Sequence, residues 1–525
     1  MAGKVWLVGA GPGDAGLLTV KGKAVIEKAD VIVYDHLVGN EILSSLDDKK
    51  KLINVGKLAG HHPIPQEEIN RRLVEEARKG QRVVRLKGGD PFLFGRGGEE
   101  LAELGKYGIP FEVVPGVTSS LAVPAYGGIP VTHRDYASSV HIITGHKKRG
   151  KQEETDYKAL VKTGGTLVFL MGVTALPDIR AKLLEAGMRP DMPAAILQEG
   201  TTAGQKNVTG TLEELEDKAR EAQICPPAVI VVGEVCRLSG TLSFRERLPL
   251  FGTRIALTRP RKVISALAER LRDEGAEVLE LPAIDTKALE SNEKLAGCLE
   301  RIEEYDWIVF TSQAGVEVFF DKVRQERVDI RRLSEAKFAV IGEGTQAALC
   351  QRGIYADMMP KVYDGESLAN ALADRGIRGA RILVPRAEKG NEFLVPILER
   401  AGAAVEDIPV YRTVIHTGGT VSVKTELEKG KIDLVVFTSS STVEGFAAAA
   451  EGASLSKIRA ACIGRQTAKT AEKYGMQCYI AEKATLDALT ELILRMERCQ
   501  SSSTGDDIGK EPINYGKKTE KTAGQ

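Results

Sequence analysis

Short apolar runs, each closed by glycine, proline or a hydroxyl residue, recur along nearly the whole chain and alternate with longer stretches of helical spacing. Runs that short and uniformly apolar suit strands buried on both faces, so the pattern predicts open α/β sheets. Strands are expected at 4–8, 31–34, 82–86, 140–144, 167–171, 194–197 and 229–232, with another ending at Gly56-Lys57. Thr19 stands where a helix through about 29 needs its N-cap, and 66–79 reads as a charged helix. Gly127-Gly128-Ile129-Pro130-Val131-Thr132-His133-Arg134 reads as a hinge into a new domain. Residues 1–240 are therefore expected to form two α/β lobes, about 1–134 and 135–240, with a shared cleft.

The polar breaks carry the chemistry. Residues 84–100 read VRLKGGDPFLFGRGGEE, with five glycines, an Asp-Pro step and a closing acidic pair. The strand must end at Gly88-Gly89-Asp90-Pro91, since glycine permits positive φ and proline denies a ladder donor. Gly95-Arg96-Gly97-Gly98 then leads into a helix whose early acids suit the positive end of its dipole. Such a strand, loop and helix bring bare backbone beside a ligand; the alternative is a glycine-rich connection that binds nothing. Gly9-Ala10-Gly11-Pro12-Gly13-Asp14 is a second glycine loop, and Asp35 ends the next strand, which invites a dinucleotide-binding reading. Spacing opposes it. The fingerprint needs glycine where Asp14 stands, and Pro12 lies inside the turn. Pro115-Gly116-Val117-Thr118-Ser119-Ser120 can cap a helix and offer hydroxyls to a polar ligand, while Met171-Gly172 and Glu199-Gly200-Thr201 sit at strand ends, where open α/β sheets bind ligands.

Length changes the picture to about three or four domains. Lys plus Arg equals Asp plus Glu at 72 each, so no global field draws the protein to nucleic acid or membrane. Seven scattered cysteines without a C-x-x-C pair argue for a reducing cytoplasm and against a metal centre. His61-His62 lacks partners at ligand spacing and reads as a loop. No apolar run approaches the ~20 residues of a bilayer span, and the chain opens directly on a strand, so a soluble cytoplasmic protein is expected.

The segments GAGPGDAGLLT (9–19), VYDHLV (33–38), VGKLAGHH (55–62), the 84–100 motif, PGVTSS, GIPVTHR, MG and EGTTAGQ occur in the order seen in uroporphyrinogen-III C-methyltransferase. Residues 1–240 thus resemble the two-lobed tetrapyrrole methylases. That resemblance implies S-adenosyl-L-methionine in the cleft and transfer of two methyl groups, to C2 and C7 of uroporphyrinogen III, giving precorrin-2. It carries donor contacts onto Pro12, Gly88, Gly89, Asp90, Leu93, Thr118, Ser119, Met171 and Gly200, a proton acceptor onto Asp35 and a proton donor onto Lys57. Arg85 is expected in the cleft, holding a substrate carboxylate or pairing with Asp90. A homodimer through this half is expected by analogy.

Residues 241–252 read as a linker. Beyond it the chain repeats itself at an offset of 127: Arg254-Ile255-Ala256-Leu257-Thr258-Arg259 returns as Arg381-Ile382-Leu383-Val384-Pro385-Arg386, and Phe310-Thr311-Ser312 as Phe437-Thr438-Ser439. Ile341-Gly342 with Thr345 returns as Ile463-Gly464 with Thr467, the offset now 122. Two related α/β lobes follow from this, their strand ends offering hydroxyls and helix N-termini. A duplicated scaffold without activity, or a binding module, is the alternative.

Residues 253–498 resemble uroporphyrinogen-III synthase, a cofactor-free lyase that turns hydroxymethylbilane into uroporphyrinogen III while inverting ring D. The resemblance implies a middle lobe at about 285–412 and a Tyr411 that assists departure of the hydroxyl. Ser312, Thr345, Ser439 and Thr467 become carboxylate or hydroxyl contacts. Arg259 and Arg386 either hold carboxylates or lie on the surface. Residues 499–525, rich in Ser, Thr, Gly and Lys, are expected to be a disordered tail. Together the halves imply a bifunctional enzyme whose second half makes the substrate of its first, at the branch to sirohaem or cobalamin. Set against it stand a methylase of another corrin precursor fused to a non-catalytic tetrapyrrole-binding module, and a nicotinamide-dependent dehydrogenase.

Overall fold

The structure is a computed structural model of the chain. It describes residues 3–56, 64–145, 155–259, 261–289, 292–390, 392–416 and 418–503, the side chains of 261–265 and 499–503 excepted. Lys57, His61 and His62 lie outside the described residues, as does the expected tail beyond 503.

Four five-stranded sheets account for the strands. The first holds β1 (Val5–Gly9), β2 (Val31–Tyr34), β3 (Lys51–Asn54), β4 (Val83–Lys87) and β5 (Phe111–Val114) in the order β3-β2-β4-β1-β5. All its pairings are parallel. Because β4 and β5 flank β1, the C-terminal ends of these three strands sit side by side, the place where parallel sheets bind ligands. One sheet face packs Val5, Leu7, Val31 and Val33 on Leu73, Ala77 and Leu104 of the helices Gln66–Arg78 and Gly97–Lys106. Burying each such side chain is worth about 1.5–3 kcal/mol before chain entropy is counted. Thr19 caps the helix Val20–Lys28 by accepting the N–H of Gly22, as the sequence implies.

The second sheet holds β6 (Val140–Thr144), β7 (Thr166–Leu170), β8 (Pro193–Gln198), β9 (Lys206–Thr211) and β10 (Ala228–Val232), ordered β6-β7-β10-β8-β9. It is mixed: β6 and β7 run parallel, whereas β10 is antiparallel to β7 and β8, and β9 to β8. β5 and β9, absent from the sequence reading, are edge strands, half exposed, so their apolar pattern is diluted by polar positions.

The remaining strands are β11 (Arg254–Leu257), β12 (Glu277–Glu280), β13 (Ile284–Ala288), β14 (Trp307–Phe310), β15 (Lys337–Val340), β16 (Arg381–Ala387), β17 (Ala404–Ile415), β18 (Leu434–Phe437), β19 (Arg459–Cys462) and β20 (Gln477–Ile480). They form sheets β12-β11-β18-β19-β20 and β13-β17-β16-β14-β15. The second of these is built wholly from the middle of the segment, and the other from its first and last parts. The strands singled out by the repeat, β11 with β16 and β14 with β18, occupy the two sheets in turn.

The chain divides into two compact units. The first runs to Ile255 and adds Ala268–Leu279 and the chain from Thr490; the second holds Ala256–Leu267 and Glu280–Leu489. In the first unit the stretch 241–252 includes the short helix Ser239–Leu242 and a turn at Arg245–Arg247, and Ser243, Arg245 and Leu250 are buried. The last helix, Leu486–Ser503, passes 498 by a further turn.

Candidate functional site

In the first unit four loops meet at the ends of β1, β4, β5 and β8. Gly11 and Gly89 exchange backbone hydrogen bonds of 3.2 and 2.7 Å, joining the first glycine loop to the second. The approach is possible because Gly9 and Gly116 carry no side chain: a Cβ on Gly9 would stand 2.5 Å from Gly116 Cα. Asp90 locks the loop onto a third. Its Oδ1 accepts the N–H groups of Phe92 and Leu93 at 2.8 and 3.1 Å, and its Oδ2 that of Gly116 at 3.1 Å. Thr118 caps the helix Ser119–Tyr126 that follows. The fourth loop, 199–205, is tied in by the Asp14 N–H, which donates to Thr201 Oγ1 at 3.2 Å. Gly200 lies so close to Val123 of that helix that a Cβ could not be accommodated.

Pro12, Gly88, Gly89, Asp90, Leu93, Thr118, Ser119 and Gly200 are thus gathered on these four loops. Met171 stands at the end of β7, half exposed with φ +55°. Gly89 has φ +67°, and a Cβ there would meet only the N–H of Ser119, at 3.9 Å. The space between these two loops is therefore a cradle lined by main chain. Phe92, whose N–H Asp90 holds, and Phe94 are 58 % and 41 % exposed.

Beside the cradle lies a buried charge network. Arg85 and Lys87 share one face of β4, being two residues apart, and both reach Glu100 of the facing helix. Arg85 Nε donates to Glu100 Oε1 at 3.2 Å, Lys87 Nζ at 2.9 Å and Gln66 Nε2 at 3.1 Å. Arg85 Nη2 donates to Asp35 Oδ2 at 3.1 Å, and its Nη1 to the carbonyl of Leu86 at 2.9 Å. Glu100 is fully buried, Arg85 and Lys87 nearly so; Asp35 is the partly exposed end. Burial, with the neighbouring Arg85, holds the Lys87 ammonium below its ordinary range against the pull of Glu100. Arg85 therefore pairs with Asp35 and Glu100 and not with Asp90, whose oxygens are turned to backbone. With its donors committed inside the sheet, it is not placed to grip a substrate carboxylate. Glu100 and Lys87 were missed as site residues: Glu99 pairs with Arg96 on the surface, but its neighbour faces inward, a distinction that only the packing of the helix decides.

In the second unit Ser312 Oγ and Tyr411 Oη lie 2.9 Å apart. Ser312 ends β14 and caps the helix Gln313–Gln325, accepting the Gly315 N–H at 3.0 Å. Tyr411 lies on β17 where the pairing with β16 slips at Arg386/Ala387. It is 8 % exposed, and burial raises its phenol above the ordinary value although Ser312 opposes this. The phenol thus keeps its proton at neutral pH. Ser439, the repeat-related cap, makes a capping box with Thr442. Thr345 and Thr467 are both buried in the first turns of their helices, after Gly342 and Gly464. The repeated arginines have diverged. Arg386 pairs through two nitrogens with Asp407 at 2.7 and 2.6 Å, whereas Arg259 is partly buried with no ion pair among the described residues, its guanidinium pushed down by desolvation.

Comparison with known proteins gives two family matches: tetrapyrrole (corrin/porphyrin) methylases over residues 4–216, and uroporphyrinogen-III synthase HemD over residues 265–491. A porphyrin biosynthesis protein HemD from Ruminiclostridium josui is 44 % identical over 94 % of this chain and 98 % of its own. A uroporphyrinogen-III C-methyltransferase from Bacillus subtilis is 43 % identical over 67 % of this chain and 72 % of its own. A crystal structure of uroporphyrin-III C-methyl transferase from Thermus thermophilus, complexed with S-adenyl homocysteine, is 40 % identical, covering 45 % of this chain and 99 % of that one with a TM-score of 0.39.

Proposed function

Since the chain belongs to the tetrapyrrole methylases over its first part and to the uroporphyrinogen-III synthases over its second, we propose that it closes hydroxymethylbilane to uroporphyrinogen III and methylates that product to precorrin-2. The observation that carries the methylase half is the main-chain cradle at Gly89 beside the Asp35–Arg85–Glu100 network. The donor is S-adenosyl-L-methionine, for which Pro12, Gly88, Gly89, Asp90, Leu93, Thr118, Ser119, Met171 and Gly200 are the proposed contacts; it supplies an electrophilic methyl group. A bare glycine between two loops, with backbone donors and acceptors around it, fits that group. The chain's own work is alignment of a pyrrole carbon with the donor and management of charge. Asp35, oriented by Arg85, is the proposed acceptor of the ring proton, and Lys57 the proposed donor.

In the second unit Tyr411, protonated and oriented by Ser312, is proposed to give its hydrogen bond to the departing hydroxyl. Inversion of ring D is then a matter of holding the flexible octacarboxylate in shape. Ser439, Thr345, Thr467 and Arg259 are the proposed contacts. The domain division proposed is 1–240 and 253–498, and a homodimer through the first part is the proposed assembly. Among the described residues no helix is long and apolar enough to cross a membrane.

The test is an anaerobic incubation of hydroxymethylbilane with and without S-adenosylmethionine, with product identification. Precorrin-2 with the donor and uroporphyrinogen III without it are expected. Uroporphyrinogen I alone would sink the synthase reading, and unmethylated uroporphyrinogen III in the presence of donor the transferase reading.

A further inference from the structure

Segment 254–279 lies outside the methylase match, yet its residues Arg254 and Glu277 belong to the same compact unit as the cradle and reach the loop that holds Gly200. Glu277 Oε2 accepts the N–H of Ala203 at 2.9 Å. The same oxygen accepts Arg254 Nε at 3.1 Å, and Arg254 Nη2 stands 3.7 Å from Glu199 Oε2. Glu277 is itself held by its own N–H, which donates to the carbonyl of Thr253 at 3.0 Å. The loop it grips is strained. Glu199 and Thr201 have φ of +44° and +73°, left-handed backbone that a β-branched threonine keeps only where its surroundings impose it. Gly204 is pinned as well, since a Cβ there would run into Glu199 and stand 2.9 Å from Arg254 Nη2.

The first glycine loop has a fastening of the same kind. Buried Glu41 accepts the Ala15 N–H at 3.2 Å and pairs with Arg272 of the helix Arg261–Asp273. Side chains that follow residue 252 therefore hold one of the four cradle loops directly and back a second through Glu41.

We propose that Glu277, oriented by Arg254, is a positioning residue of the methyl-donor site: by holding the Ala203 N–H it keeps the strained 199–205 loop, and with it Gly200, in the donor-binding shape. The proposal rests on the methylase reading. Neither residue touches the proposed donor contacts directly; both act through the loop. Methyl transfer in this chain then depends on side chains that a free-standing methylase of residues 4–216 would not possess.

The full-length chain provides the test, with S-adenosylhomocysteine as the probe in calorimetric titration and initial rates as the second readout. Glu277→Ala should weaken S-adenosylhomocysteine binding by about tenfold, the worth of one charge-assisted hydrogen bond, and raise KM for S-adenosylmethionine equally while leaving kcat within twofold. Glu277→Gln, which keeps an acceptor oxygen, should recover most of that loss. Uroporphyrinogen III formation should be unchanged in both, reporting an intact fold. Should Glu277→Ala fail to fold, Arg254→Met decides, with an expected loss of about threefold from weaker orientation of the carboxylate. Parent-like binding by the folded variants overturns the brace while leaving the methylase reading standing. A parent chain that does not bind S-adenosylhomocysteine overturns the donor-site reading and the brace with it.

Discussion

Burial gives two side chains their roles. Glu100 neutralises two buried cations through one oxygen, and its second oxygen, Oε2, has no hydrogen-bond partner among the described residues. Removing its charge leaves Arg85 and Lys87 with Asp35 alone, so Glu100→Gln should cost about 3–5 kcal/mol in denaturant unfolding of the first unit, the range for breaking a buried ion pair. A loss below 1 kcal/mol would mean that the network is hydrated. Tyr411 is the second. Its raised phenol stays protonated, and Tyr411→Phe should slow uroporphyrinogen III formation by about a hundredfold, at the low end for a positioned acid, while methyl transfer to supplied uroporphyrinogen III is unchanged. Equal rates in a quenched assay of hydroxymethylbilane consumption would remove the tyrosine from the mechanism.

At the scale of elements the site is a property of loops held by strands. The order β3-β2-β4-β1-β5 puts three glycine-bearing strand ends side by side, and Asp90 shapes its own loop with two hydrogen bonds and ties it to a second loop with a third. Its carboxylate thus shapes the cradle first, whatever it offers a ligand. Asp90→Ala should release both loops and lower methyl transfer by about a hundredfold or more, since misplacement by an ångström costs that much, with ring closure continuing at the parent rate. Loss of both activities in product analysis would show that the loop supports the whole chain. The helices beside the loops follow their caps: Thr19, Thr118, Ser312 and Ser439 each begin one, and all four hydroxyl caps stand in the sequence just before a helical pattern.

For the molecule as a whole, the two compact units do not coincide with the two family matches. Residues 268–279 and the chain from Thr490 belong to the first unit, although the synthase match spans 265–491. Calorimetric melting with S-adenosylhomocysteine should therefore raise one transition and leave the other in place, with a gain of about 2.7 kcal/mol at a hundred times Kd. A shift of both transitions together would mean that the units unfold as one.

How much of this is legible in the chain depends on range. Strands buried on both faces, such as β1, β7 and β10, are written in apolar runs, and glycine loops and hydroxyl caps are local signals, so the α/β class and the loop members of the cradle can be read directly. The repeat at 127 residues likewise announces two related lobes. Edge strands β5 and β9 are masked because half their positions face water. Pairing lies further out of reach, because a charge carries no address. Glu99 and Glu100 are adjacent and alike, yet one meets solvent and the other Arg85 and Lys87; Arg259 and Arg386 are repeats of each other, yet among the described residues only Arg386 meets an aspartate. The turn of one helix and the register of one strand decide those partners, and both are set by contacts between residues far apart in the chain.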